Sequence, residues 1–190
     1  SLAAIPGSGL INFTNDLVFV PQSGKFNVVN RKTRKSVYES ATWAVNSKVL
    51  FSPDGKYLFT SAQITKKKNL NGYEYEAPVS AIVKIDIENK KIVKDYAETY
   101  YSLDFKLKND NKTIAIWYID YDPARYTGKE QFNEYTEYDV ETGEKKYTKT
   151  MDTTPTVMAY HYTSDKGKYF CMAGVYDEYM KVFDDKGELI

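Results

Sequence analysis

The stretch Val49-Leu50-Phe51-Ser52-Pro53-Asp54-Gly55-Lys56-Tyr57-Leu58-Phe59 reads as two apolar strands joined by a tight reversal. Asp54-Gly55 supplies a turn with positive φ, a conformation whose twist matches that of the strands it joins. The same slot recurs along the chain. Asn15-Asp16 separates Ile11-Asn12-Phe13 from Leu17-Val18-Phe19, and Asn109-Asp110-Asn111 separates Leu103–Leu107 from Thr113–Trp117. Ser164-Asp165-Lys166-Gly167 leads into Lys168–Met172.

A second landmark follows each first one: an apolar residue, then Asn or Asp, then a polar turn. It reads Val29-Asn30, Ile85-Asp86, Tyr138-Asp139 and Phe183-Asp184, with copies about 50 residues apart. A further short strand comes next, such as Lys91-Ile92-Val93 or Lys145-Lys146-Tyr147. Four strands per unit at this period is the pattern of propeller blades. A β-sandwich, the other all-β possibility, does not require the same landmarks in the same order four times. No segment of a dozen residues carries a capped 3.6-residue period, so no helix is expected. The fold class predicted is all-β and β-propeller-like, with about four antiparallel four-stranded blades. A single domain over 1–190 would hold blades at about 10–41, 47–98, 101–149 and 156–190, as a four-bladed ring or as part of a larger propeller. The last of them stops at Glu188-Leu189-Ile190, within its expected outer strand.

The segments FSPDGKYLFTSA (51–62), AIVKIDIENKKIV (81–93) and EYDVETGEKKY (137–147) resemble bacterial WD40-like, YVTN-like and TolB-like propeller repeats. The likeness covers nearly the whole chain and is one of turn chemistry and strand pattern, specific for architecture and nearly silent on function. It departs from the eukaryotic WD repeats, whose Gly-His and Trp-Asp dipeptides are missing. The resembled families usually close with six to eight blades, which leaves three readings open: a compact ring, a fragment of a longer propeller, or an arc that another chain completes. Their frequent setting implies an extracytoplasmic bacterial location, in periplasm or at the cell surface.

Composition narrows the function classes. The chain has 190 residues, with 18 Tyr and 9 Phe, which suits pleated, half-buried strands. Its 26 basic and 26 acidic residues balance, so it builds no single-sign field for nucleic acid or an anionic membrane. No apolar run reaches membrane-spanning length. One Cys (Cys171) and one His (His161) exclude an intrachain disulfide framework and a Cys/His zinc site. The Asp/Asn turns offer oxygen ligands for calcium, but no D-x-D-x-D-G loop is present, and neither a metal nor a cofactor is expected. A strand His between Tyr160 and Tyr162 is expected to be packed and hydrogen-bonded, and Cys171, among apolar neighbours, to be buried and inert. No nucleophile elbow, P-loop or dinucleotide fingerprint occurs. The stretch 163–170 loosely resembles a sialidase Asp-box but already serves as a repeat turn.

Two insertions remain. Residues 64–78 and 119–134 lengthen the connection between the second and third strands of consecutive units. Loops of this length on a rigid scaffold are where binding residues collect, and Tyr and Arg make good interface anchors. Tyr73, Tyr75, Tyr121, Asp122, Arg125 and Tyr126 are the candidate binding surface. The plainer reading is that the insertions extend their hairpins into longer β-ribbons. The function expected is a non-enzymatic binding or assembly module whose partner is a protein or a second copy of the chain. A carbohydrate-active or hydrolytic propeller using carboxylates such as Asp104, Asp120 and Asp122 is the alternative. A structural repeat segment of a larger secreted or surface protein is a third.

Overall fold

A computed structural model describes residues 11–12, 15–22, 25–40, 48–99, 101–108, 111–120, 132–152, 160–164, 167–173 and 178–190. All of its regular structure is β. The first sheet holds β1 (Ile11–Asn12), β2 (Leu17–Gln22), β3 (Lys25–Asn30) and β4 (Ser36–Glu39), and the second β5 (Val49–Phe51), β6 (Tyr57–Leu70), β7 (Tyr73–Asp86) and β8 (Lys91–Thr99). The third holds β9 (Tyr101–Leu107), β10 (Thr113–Asp120), β11 (Phe132–Asp139) and β12 (Lys145–Thr150), and the last β13 (Tyr160–Thr163), β14 (Phe170–Ala173) and β15 (Lys181–Phe183). Each sheet is an antiparallel meander in chain order. The chain divides into two compact units, Ser1–Asp95 and Tyr96–Ile190, and the division falls within β8.

The two landmarks are the devices that make the meanders. At the first, the residue opening the loop bonds the residue that closes it. The N–H of Ser52 donates to Tyr57 O (2.9 Å), that of Lys108 to Thr113 O (2.8 Å) and that of Ser164 to Tyr169 O (3.0 Å). One residue inside each loop takes positive φ: Gly55 (68°), Asn111 (54°) and Gly167 (66°). Glycine and asparagine occupy that conformation at least cost.

At the second landmark the Asn or Asp side chain caps the turn that follows it. Asn30 Oδ1 accepts from the N–H groups of Lys32 and Thr33, and Asp139 Oδ1 from those of Glu141 and Thr142. Asp86 Oδ1 accepts from Asn89 N–H, and Asp184 Oδ1 from those of Lys186 and Glu188. Short polar side chains are required there because the carboxylate or amide must fold over the N–H groups two to four residues ahead of it. After the last turn the chain returns to β15, with Leu189 bridging Phe183 and Ile190 N–H donating to Val182 O (2.9 Å).

Within each unit two sheets pack face to face. In the first, Phe19, Phe26 and Val28 of the first sheet meet Leu58, Val83 and Ile85 of the second. In the second, Ala115, Trp117 and Tyr135 of the third sheet meet Phe170, Met172 and Phe183 of the last. Trp117 is fully buried and stacks on Phe170, with ring centroids 5.3 Å apart and planes inclined by 18°. Within a unit, the face that the first of its two sheets turns toward the second is its leading face, and the face that the second turns toward the first is its trailing face. Strand period two places neighbouring residues on opposite faces, so Val28 and Glu137, two residues before their landmarks, are on leading faces, and Ile85 and Phe183, one residue before theirs, are on trailing faces.

Candidate binding surface

The insertion at 64–78 is a ribbon. β6 and β7 pair without interruption from Tyr57↔Asp86 to Leu70↔Tyr73, and Asn71-Gly72 forms the entire loop. Asn71 (φ 52°) and Gly72 (φ 86°) are both left-handed, as a type I′ turn demands. Asn69 Oδ1 accepts the Gly72 N–H at 2.9 Å and holds the tip closed. Pro78 interrupts none of this. Hydrogen-bonded and non-hydrogen-bonded pairs alternate from the closing pair, which puts Pro78↔Thr65 at a position where the missing N–H would point away from β6.

The ribbon has two unlike faces. Ile64, Lys66, Lys68 and Leu70 of β6 share one with Tyr73, Tyr75, Ala77 and Val79 of β7, by register. The other carries Thr65, Lys67, Asn69, Glu74 and Glu76. The first is continuous with the trailing face of the sheet: Ile64 packs against the core of the first unit, and the row then runs outward. Lys66 is tied to Asp95 by an ion pair. At the far end Leu70, Tyr73 and Tyr75 stand in solvent at 63%, 72% and 41% exposure. Tyr73 and Tyr75 are thus brought together on one face, and Leu70 joins them. Tyr121, Asp122, Arg125 and Tyr126 lie outside the described residues.

Leu70 was not singled out from the sequence, although the signal was present. Asn71-Gly72 between alternating segments is the strongest short-range hairpin pattern. It sets Leu70 opposite Tyr73.

A second polar centre sits in the other unit, around Glu137 of β11. Its side chain is buried, 8% exposed, and lies 2.9 Å from Lys108 Nζ and 3.2 Å from Lys186 Nζ. The Tyr135 hydroxyl lies 2.5 Å from Glu137 Oε1 and 2.8 Å from the Asp185 carbonyl. Lys108 Nζ also donates to that carbonyl at 3.0 Å. Burial alone would raise the Glu137 carboxyl, but the Tyr135 hydroxyl and the two ammonium groups outweigh it and hold the group below the ordinary carboxylate range. The Tyr135 phenol moves up, through burial first and the neighbouring carboxylate second. A carboxylate neutralised by two lysines and a phenol fixed as a donor make a structural latch between the third sheet and the Asp184–Glu188 turn.

Other expected features are placed as follows. Asp104 is buried in β9, and its Oδ1 accepts the Phe105 N–H at 2.8 Å. His161 is exposed rather than enclosed, its ring lying against Phe170 with centroids 6.2 Å apart. Cys171 is half-buried rather than buried, because β14 turns it to the face opposite Phe170 and Met172. Among the described residues no three His, Cys, Asp or Glu side chains converge. Among them, too, no helix is long and apolar enough to cross a membrane.

No family model and no curated protein matches the sequence. Solved structures do. Hydrazine synthase of Kuenenia stuttgartiensis is similar over 92% of this chain and 51% of its own, with a TM-score of 0.56 and 16% identity. TolB from Acinetobacter baumannii is similar over 90% and 38%, with a TM-score of 0.52 and 16% identity. The fold is β-propeller-like. The acylaminoacyl peptidase of Pyrococcus horikoshii adds a third likeness, over 96% of this chain and 31% of that one, with a TM-score of 0.51 and 15% identity. The chain spans about half the length of the first of these and less of the others. At such identities the likeness is one of fold, and one propeller-like scaffold serves unrelated activities.

Proposed function

We propose that this chain is a non-enzymatic binding module that engages a protein partner through the Tyr-rich insertions, Tyr73 and Tyr75 foremost, with Tyr121, Asp122, Arg125 and Tyr126 of the second insertion completing the surface. The observation that carries the reading is the one-sided ribbon. A two-stranded ribbon in water gains little from exposed apolar residues on its own account, yet Leu70, Tyr73 and Tyr75 are gathered on a single face. Rigid aromatic anchors of this kind bury large area at low entropic cost when a partner covers them. The lysine stems of Lys66 and Lys68 add apolar length beneath charged heads. The balanced net charge favours a partner recognised by shape and apolar area over one recognised by charge.

Site-specific photocrosslinking in the native host tests this. A crosslinker at Tyr73 or Tyr75 is expected to give a discrete protein adduct, and one at Thr65, on the opposite ribbon face, is expected to give none. Equal adducts from both faces, or none from either, overturn the reading.

A further inference from the structure

The turn of the ribbon carries chemistry of its own. Asn71-Gly72 is the only asparagine–glycine step in the chain; every other asparagine is followed by a residue with a side chain. Both residues of the step are exposed, as is every residue from Asn69 to Glu76. A Cβ placed at Gly72 would meet no heavy atom within 4 Å. The Gly72 nitrogen is thus crowded neither by a Cβ of its own nor by a residue packed over that position, and the Asn71 carboxamide is its neighbour in the chain.

One contact opposes their reaction. Asn69 Oδ1 accepts the Gly72 N–H at 2.9 Å. The nitrogen becomes a nucleophile only when it gives up that proton, and a hydrogen bond to a neutral amide oxygen holds the proton in place. Opening of the tip releases it. A tip whose residues are all exposed opens at little cost, so the reaction follows the open population.

We infer that Asn71 is a self-modifying site, converted by water and hydroxide without an enzyme, and that the Asn69 side chain sets its rate. Hydroxide takes the Gly72 amide proton, and the nitrogen bonds to Cγ of Asn71. The bond from Cγ to the carboxamide nitrogen breaks, and that nitrogen takes a proton and leaves as ammonia. The cyclic imide then adds one water at either carbonyl. Opening at one side leaves aspartate at position 71. Opening at the other leaves isoaspartate, whose main chain runs through Cβ and Cγ and is one atom longer. One water is consumed, one ammonia is released, and nothing is oxidised.

The two products differ in what they do to the ribbon. Asp-Gly suits a type I′ turn as Asn-Gly does. Isoaspartate does not, because a two-residue loop closes Leu70↔Tyr73 only at normal peptide spacing. The extra atom frees that pair, while the pairing nearer the sheet, from Tyr57↔Asp86 outward, is anchored in the buried stretch Leu58–Ala62 and persists. The modification stands on the turn alone and holds whether or not the ribbon engages a partner.

The test ages the full chain in warm, mildly alkaline buffer and maps its peptides for aspartate and isoaspartate. Conversion is expected at Asn71 ahead of every other asparagine, faster as pH rises. Asn69→Ala is expected to speed it about fivefold, the factor that one net hydrogen bond is worth. In proton NMR the contact between Leu70 and Tyr73 is expected in the fresh chain and in Asn71→Asp, and is expected to be lost in the isoaspartyl fraction. Both substitutions lie at the exposed tip, so the variants fold, and their melting curves verify it. An unchanged Asn71 under conditions that convert it in the urea-unfolded chain overturns the inference. So does a rate that Asn69→Ala leaves as it was, or an isoaspartyl fraction that keeps the Leu70–Tyr73 contact.

Discussion

The carboxylate of Glu137 holds Lys186 Nζ at 3.2 Å from each of its oxygens, joining the third sheet to the turn that ends the last. The two residues are unequally placed. Glu137 is buried, whereas the Lys186 side chain is 51% exposed. Removing the buried partner leaves Lys108, 19% exposed, without its carboxylate, and the Tyr135 hydroxyl with only the Asp185 carbonyl of its two acceptors. Glu137→Ala is therefore expected to destabilise by about 3 kcal/mol, and Lys186→Ala by about 1 kcal/mol or less. Urea unfolding of both variants checks the asymmetry, and equal losses contradict it.

Acid should weaken the fold in a defined direction. Glu137 is held below its ordinary range, and Asp139 is pushed down to about 2 by the Thr142 N–H first and the Lys146 ammonium second. A carboxyl depressed on folding stabilises the protein fully above its unfolded pKa, and the contribution fades as pH falls through the folded value. For Asp139 that interval runs from 3.8 to about 2. Melting temperature should hold steady above pH 5 and fall below about pH 4. Glu137→Gln should flatten that slope while lowering stability at neutral pH.

The left-handed turn positions are not equally strained. Gly143 (φ 74°) and Lys90 (φ 56°) both stand four residues after their Asp landmarks. A residue with a Cβ pays for left-handed backbone where glycine does not. Gly143→Ala should cost about 1 kcal/mol, and Lys90→Gly should be neutral or stabilise by up to about 1 kcal/mol. Thermal unfolding of the pair measures the difference.

Gly55 has a second constraint. A Cβ there would overlap the Asn15 side chain, whose amide donates to the Asp54 carbonyl. Gly55→Ala should exceed the cost of Gly143→Ala, at about 2 kcal/mol or more. In the Asn15→Gly background, which removes the Cβ as well as the amide, the excess should largely vanish, a non-additivity that a double-mutant cycle reads directly.

The ribbon tip should be thermodynamically separate from the core. Gly72 has open space around its Cβ position, and the tip residues touch little. Replacing Tyr73 and Leu70 with Ser should shift the melting temperature by no more than about 1 °C. Amide exchange near Asn69–Glu74 should be far faster than in the paired stretch Leu58–Ala62.

Much of this protein was written in local chemistry. Asp54-Gly55, Asn111 and Gly167 reverse the chain because few other residues tolerate that backbone, and Asn30, Asp86, Asp139 and Asp184 cap turns because their short side chains reach the N–H groups that follow them. Period-two alternation then makes each strand two-faced. Turns and alternation act over a few residues, so the order of strands and the recurrence of sheets are readable without coordinates. Asn71-Gly72 belongs to the same class, and it extends the pairing at 64–78 into a ribbon. What the sequence by itself left open are the relations between residues far apart in the chain. Glu137 meets Lys108 and Lys186, and Trp117 stacks on Phe170, only because two sheets face one another. His161 and Cys171 came out exposed and half-buried, against expectation, for the same reason. Alternation says which residues share a face, but only packing decides whether another sheet covers it.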